Sequence, residues 1–363
     1  ELITMASAAD NPMKRPAAQS AALSVVPAKQ ARTAGELIQH GGSANNKRLV
    51  SAGPSRTSSL HAPIMLLTGH EGEIYCGKFS PTGSILATAG YERKIFLWTV
   101  YDECENLAVL TGHGGAILEL KFTTDGETLV SAASDKTAAL WDLEAGLRIK
   151  RLKGHEKLIN SVDVVRRGPQ LLCTGSDDGT IRLWDRRVRG HTHSFDSGNA
   201  VTSVAFGDTG ELVYSGGIDN SIQAWDLRRS ACTMRLRGHS DTVTGLALSP
   251  DGNYLLSNGM DASLRVWDIR PYASQDRCLK ILSGHRHSFE QNLLRCAWQP
   301  DGRRVTCGSS DRFVYVWDCA SRQVVYKLPG HTGSVNETHF HPKEPIIMSV
   351  GSDKKVYLGE IEP

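Results

Sequence analysis

From about residue 60 onward, short apolar runs alternate with polar turns at a steady cadence. The stretch 159–185 shows the pattern. Ile159 to Val165 is a β-prone run, Gly168-Pro169 breaks it, and Leu171 to Thr174 is a second apolar run. Asp178-Gly179 then forms a hairpin turn, with the glycine supplying positive φ, and Ile181 to Trp184 is a third strand. A further edge strand is expected before the unit begins again. No apolar run has the length of a membrane-spanning helix.

The cadence is a sequence repeat. Gly-His pairs stand at 69–70, 112–113, 154–155, 238–239, 284–285 and 330–331, which, counting one missing step between the third and fourth, is a period of 43.5 residues. Trp-Asp pairs stand at 141–142, 184–185, 225–226, 267–268 and 317–318, and Trp98-Thr99 keeps the same register. Two units are degenerate. The fourth reads Asp196-Ser197 where its Gly-His is expected, and the seventh has Gly359 where its Trp is expected. Strand patterns surround both gaps, so the units number seven.

These dipeptides and their spacing resemble the WD40 family over roughly residues 60–361. The resemblance implies an all-β fold, a seven-bladed WD40 β-propeller over 59–363, and the preceding residues 1–58 read by composition as a disordered N-terminal tail. It also implies a hydrogen-bonded relay in each blade. The matching residues are His113, Ser131, Asp135 and Trp141 in the second blade, and His155, Thr174, Asp178 and Trp184 in the third. In the fifth they are His239, Ser257, Asp261 and Trp267. Glu92 replaces the aspartate in the first blade, Cys307 replaces the hydroxyl residue in the sixth, and the fourth lacks the histidine, so these blades are expected to be weaker. The family closes its ring by lending an N-terminal strand to the last blade. Pro63 to Leu67 is the candidate, beside Val356 to Ile361.

Composition adds less. Hydrophobic residues are 40% of the 363, enough for a large core, and the formal charge of +2 creates no strong overall field. The tail is basic: Lys14, Arg15, Lys29, Arg32, Lys47, Arg48 and Arg56 face only Glu1, Asp10 and Glu36. Its Ala, Ser, Gly and Pro content reads as disorder, and Lys14-Arg15 with Lys29 and Arg32 forms a loose nuclear-import pattern. None of the eight cysteines forms a CxxC pair, which reads as buried free thiols of an intracellular protein. His191/His193, His285/His287 and His339/His341 are His-x-His pairs without a further ligand set, so no metal or cofactor is expected. Aspartates recurring once per blade at one turn point to structure rather than catalysis. With no GxSxG, phosphate loop or HExxH, no enzyme is expected.

Several stretches go beyond the generic repeat: 62–81, 166–185, 270–302, 311–318 and 326–347. Together they resemble the WD40 subunits of the spliceosomal U5 small nuclear ribonucleoprotein. That resemblance implies a nuclear, non-catalytic scaffold in pre-mRNA splicing, docked on the large central protein of that particle and meeting other spliceosomal proteins. Two other classes stay open. WDxR at Trp184–Arg187, Trp225–Arg228 and Trp267–Arg270 resembles the adaptor-binding motif of cullin-type ubiquitin ligase receptors. Arg166, Arg167, Arg182, Arg186, Arg187 and Arg189 suggest peripheral RNA contact, although aromatic residues do not interleave with them.

A partner site is expected on the face where Gly-His loops and carboxylate turns open. The residues preceding the turn carboxylates are Tyr91, Ser134, Asp177, Ile218, Met260, Ser310 and Ser352. Ile218 and Met260 are unusual at loop tips, and the sixth unit carries four extra residues with Arg286, His287, Phe289 and Gln291. Tyr91, Ile218, Met260, Arg286, His287, Phe289 and Gln291 are therefore the candidate docking residues.

Overall fold

The computed structural model describes residues 56–273, 276–288 and 292–362. Among these, twenty-eight strands form seven four-stranded antiparallel sheets arranged as a propeller. Blade 3 is typical: Ile159–Val164, Leu171–Ser176, Thr180–Asp185 and His193–Asp196, innermost to outermost. The expected fold is therefore the one observed. The tail expectation, including its import pattern, falls on residues outside the described ones, apart from 56–58. Arg56, Thr57 and Ser58 all bond the Glu360 carboxylate, so the chain joins the propeller by residue 56.

The last blade closes as expected. Ile64–Leu67 pairs antiparallel with Val356–Glu360, placing Ile64 opposite Gly359 and Leu67 opposite Val356, and the Glu360 N–H reaches Pro63 O at 2.9 Å. Leu67 is buried there with Val356 and Leu358. Closure removes the two free edges that a split ring would present.

Neighbouring blades are tied around the central channel by polar side chains on the innermost strands. Glu337 accepts the Gly77 N–H, Glu119 the Val162 N–H, Ser161 the Val204 N–H and Ser203 the Leu246 N–H, at 2.8 to 3.0 Å. One position earlier in the strand, Asn160 donates to Val201 O, Thr244 to Leu294 O and Asn336 to Ile74 O. These bonds join adjacent sheets that share no ladder, and they use donors that burial would otherwise leave unpaired.

The hairpin turn after the relay carboxylate requires a left-handed residue in six blades besides the third. Only blade 3 uses glycine, with Gly179 at φ 83°. The others place Arg93, Lys136, Asn220, Ala262, Arg312 and Lys354 there, at φ between 54° and 75°. The glycine expectation is right for one turn and misses six that carry left-handed strain.

Candidate partner-docking face

The face is built on the relay, which is present in all three blades where it was expected. In blade 3 the Trp184 indole N–H donates to Thr174 Oγ at 2.9 Å, Thr174 Oγ lies 2.7 Å from His155 Nε2, and His155 Nδ1 lies 2.8 Å from Asp178. A carboxylate only accepts, so Nδ1 carries the proton and the threonine hydroxyl donates to Nε2. Blade 2 repeats this through Trp141, Ser131, His113 and Asp135, and blade 5 through Trp267, Ser257, His239 and Asp261. Burial lowers the His113 and His155 pKa despite their aspartates, so both rings stay neutral. Burial pushes Asp178 up, but bonds from Thr180, the Glu156 N–H and His155 outweigh it and hold it well below the usual carboxylate range. In the blades that keep the tryptophan relay, the glycine of the Gly-His is a packing requirement. A Cβ on Gly69, Gly154 or Gly238 would stand 2.9 to 3.2 Å from the tryptophan ring of the same blade.

The first blade keeps its relay with a glutamate in place of the aspartate. Glu92 reaches the two donors through which the aspartates hold the Gly-His loop, His70 Nδ1 at 3.0 Å and the Glu71 N–H at 2.6 Å, and adds the Gly72 N–H at 3.0 Å. Its relay through Thr88 and Trp98 is intact. The seventh blade keeps His331, Ser349 and Asp353 without a tryptophan; Tyr357 packs edge-on to His331 and donates to Gly330 O.

The relay is broken in blades 4 and 6. In blade 4, Trp225 still donates to Ser215, but no histidine links that hydroxyl to Asp219. Asp219 is instead held by Ser221 at 2.6 Å and the Gln223 amide at 2.9 Å. In blade 6, Cys307 offers no hydroxyl, and Trp317 turns to Ser283 O at 3.1 Å. His285 crosses to the neighbouring blade and bonds Asn258 Oδ1 at 2.9 Å, and His287 Nε2 lies 3.3 Å from Asn258 Nδ2. Burial, with His287 alongside, lowers His285 to about 4, and burial lowers His287 to about 4. Sequence reading missed Asn258. The signal was an amide inside a strand where other blades place Ala, Gly or Val.

The seven residues preceding the turn carboxylates are structurally equivalent. Each donates its backbone N–H, at 2.8 to 3.2 Å, to a loop carbonyl at the start of its own blade: Tyr91 to Glu73, Ile218 to Ala200, Met260 to Thr242 and Ser310 to Arg286 among them. Tyr91 is 65% exposed and Ile218 53%, while Met260 is half-buried. Arg286 is exposed and His287 half-buried. Blades 4, 5 and 6 thus carry Ile218, Met260, Arg286 and His287 in succession, and Tyr91 lies apart on blade 1. Phe289 and Gln291 lie outside the described residues.

Many other charged groups are paired within the chain. In the channel, Lys78 pairs with Glu337 and Lys121 with Asp163, while the buried Arg295 donates to Thr202 O, Thr244 O and Asn160 O. Arg166 reaches Leu248 O and Ser249 O. The WDxR arginines fold back, Arg187 on Asp185, Arg228 on Glu211 and Arg270 on Asp268. Among the described residues no group of three or more His, Cys, Asp or Glu could hold a metal ion. His341 of one His-x-His pair instead bonds Gly83 O and caps the Lys343 and Glu344 N–H groups.

The sequence matches the family described as WD domain, G-beta repeat seven times, over 61–99, 104–142, 146–185, 186–226, 230–268, 276–318 and 322–358. Each match holds the outer strand of one blade and three strands of the next, so repeat and blade are offset by one strand. The chain is 59% identical to the U5 small nuclear ribonucleoprotein 40 kDa proteins of Mus musculus and Homo sapiens, over 86% of this chain and 88% of each relative. The protein of that name from Dictyostelium discoideum is 48% identical over 93% of this chain and 94% of the relative. Pre-mRNA-splicing factor cwf17 of Schizosaccharomyces pombe is 42% identical, over 84% and 90%.

Proposed function

This chain belongs to the WD40-repeat family and, within it, to the U5 small nuclear ribonucleoprotein 40 kDa proteins, and from that premise we propose that it is a non-catalytic scaffold of the spliceosome acting in pre-mRNA splicing. It works in the nucleus, docks on the large central protein of the U5 particle and contacts other splicing proteins. The observation that carries this reading is the extent of the similarity: 59% identity spans nearly the whole propeller, loops included. The relay aspartates support the non-catalytic part. Each is bonded to structural donors of its own blade, so none is set aside for chemistry.

The docking residues on this reading are Ile218, Met260, Arg286, His287, Phe289 and Gln291, with Tyr91 as an outlying contact. Ile218 and Met260 stand at equivalent turn positions on adjacent blades, where an apolar tip rimmed by polar loops suits a protein partner. Apolar anchors of this kind contribute about 1–3 kcal/mol each. The test is recovery from nuclear extract with protein and RNA identified together. The wild-type chain is expected to bring down U5 proteins, and the folded Ile218→Ser/Met260→Ser variant to lose most of them. Recovery of a ligase adaptor in their place, or of RNA without splicing proteins, would overturn the assignment.

A further inference from the structure

Blade 4 holds a second recognition feature on the same face. Where the histidine is missing, a cleft of about 380 Å³ opens between the Asp219 turn and the start of blade 5. Gln223 lines it, is 2% exposed, and has an Oε1 with no hydrogen-bond partner. Arg235 and Arg237 line it from the outer strand, both exposed. Neither has an ion pair or hydrogen bond to a described residue, unlike Arg187, Arg228 and Arg270 on the turns after the Trp-Asp pairs.

Blade 2 explains how Arg235 came to be unpaired. There Arg151 stands opposite Ala139, and its guanidinium reaches over that small side chain to Asp135 at 3.0 Å and Thr137 at 3.1 Å. In blade 4, Arg235 stands opposite Gln223 and Arg237 opposite Ser221. Gln223 occupies the place of Ala139 and takes the carboxylate itself, so the arginine is displaced outward.

We propose that this cleft receives an aspartate or glutamate side chain from an extended segment of the docking partner, clamped between Arg235 and Arg237. Charge decides between acidic groups. Two guanidiniums face one carboxylate, Asp219, already engaged by Ser221 and Gln223. One added monoanion neutralises the cleft, whereas a phosphate dianion overshoots and stands against Asp219. Residues i and i+2 of a strand share a face, so both planar forks address one group, and the fork matches a carboxylate. Ile218 immediately precedes Asp219, so an apolar neighbour of the acidic residue would meet the exposed Ile218 side chain.

The proposal rests on this face being the docking face, and its test separates the two. Blocked peptides Gly-Leu-Glu-Leu-Gly, its Gln counterpart and its phosphoserine counterpart are titrated into the full chain while the arginine Nε–H signals are followed by NMR. The Glu peptide is expected to shift Arg235 and Arg237 saturably, at least tenfold more tightly than the Gln peptide and more tightly than the phosphoserine peptide. Arg235→Gln and Arg237→Gln should each weaken it about tenfold. Gln223→Ala recreates the blade 2 arrangement, so Arg235 should close on Asp219 and binding should disappear with no charge removed. Equal binding of Glu and Gln peptides, preference for phosphoserine, or full binding by Gln223→Ala would overturn the proposal. In nuclear extract, undiminished recovery by Arg235→Gln/Arg237→Gln alongside loss by Ile218→Ser/Met260→Ser would sink the cleft and leave the docking face standing. Undiminished recovery by the apolar variant would sink the docking face, and the peptide titration would still decide the cleft.

Discussion

Replacing Asp178 by alanine tests whether the relay is a structural device. Its carboxylate accepts from His155 Nδ1 at 2.8 Å, the Glu156 N–H at 3.0 Å, the Thr180 N–H at 2.9 Å and the Thr180 hydroxyl at 2.6 Å. The side chain is 6% exposed and His155 is buried, so water replaces these bonds poorly. Thr180 Oγ lies 3.2 Å from His155 Nδ1 and can take over that one donor. Two backbone donors remain stranded. Bonds to charged acceptors contribute about 1.5–3 kcal/mol each, and with the Glu156 N–H on an exposed loop the lower end applies, so the cost is about 3 kcal/mol. For a domain of this size that lowers Tm by about 5 °C. Asp219→Ala in blade 4 is the internal comparison. It loses the Gln223 amide bond and those from Ser221, whose hydroxyl can turn elsewhere and whose N–H bond is long at 3.3 Å, for about 1.5–2 kcal/mol. Calorimetry gives both melting temperatures, and amide exchange shows where protection is lost. Exchange should quicken at Glu156 and Thr180 in the first variant, with blade 1 unchanged. Equal melting losses for the two variants, or unaltered exchange at Glu156, would refute the reasoning. So would a hydrolytic activity present in the wild type and absent from a fully stable Asp178→Ala.

Deleting residues 1–68 removes the Ile64–Leu67 strand and bares the Val356–Glu360 edge, which should cost about 4 kcal/mol in lost burial and ladder bonds; deleting 1–55 should leave Tm unchanged, and equal melting of the two truncations would argue against this closure. Asp178 and Asp261 are held below their unfolded value near 4, so their stabilisation is present above about pH 4 and lost as pH falls through that value towards the folded pKa. Asp178→Asn should therefore show a shallower fall in urea midpoint between pH 5 and 2.5. His285 sits at about 4 against an ordinary 6.5, so the unfolded chain binds its proton first and stability drops between pH 6.5 and 4; His285→Asn should flatten that part of the profile. Ala262 holds φ 54° at its turn, and Ala262→Gly should raise stability by about 0.5–1 kcal/mol in a urea melt.

The sequence revealed the ring because each blade needs the same few chemical groups at the same spacing. A glycine lets a tryptophan pack close, and a histidine, a hydroxyl and a carboxylate then complete one bonded line, so His155, Thr174, Asp178 and Trp184 could be named in advance. Where a group is replaced, the outcome depends on reach, which spacing does not encode. Glu92 compensates for its extra methylene, yet Cys307 cannot supply a hydroxyl, and His285 leaves for Asn258. Gln223 went unnoticed because it reads as an ordinary strand residue; its effect appears only once Arg235 is placed opposite it. Ile218 and Met260 were visible as apolar letters at a turn, but that one is exposed and the other half-buried required coordinates.

The strand that closes the ring also sets the order in which the molecule can be made. Ile64–Leu67 leaves the ribosome ahead of every other strand of the propeller, and its partner Val356–Glu360 leaves last. At cellular synthesis rates the interval is about 15–60 s, during which six blades can assemble from local hairpins while the first-made strand waits unpaired. Throughout that interval Ile64, Met65, Leu66 and Leu67 offer an apolar edge to any neighbouring chain, and the nascent protein depends on a chaperone, or on speed, to keep that edge for itself.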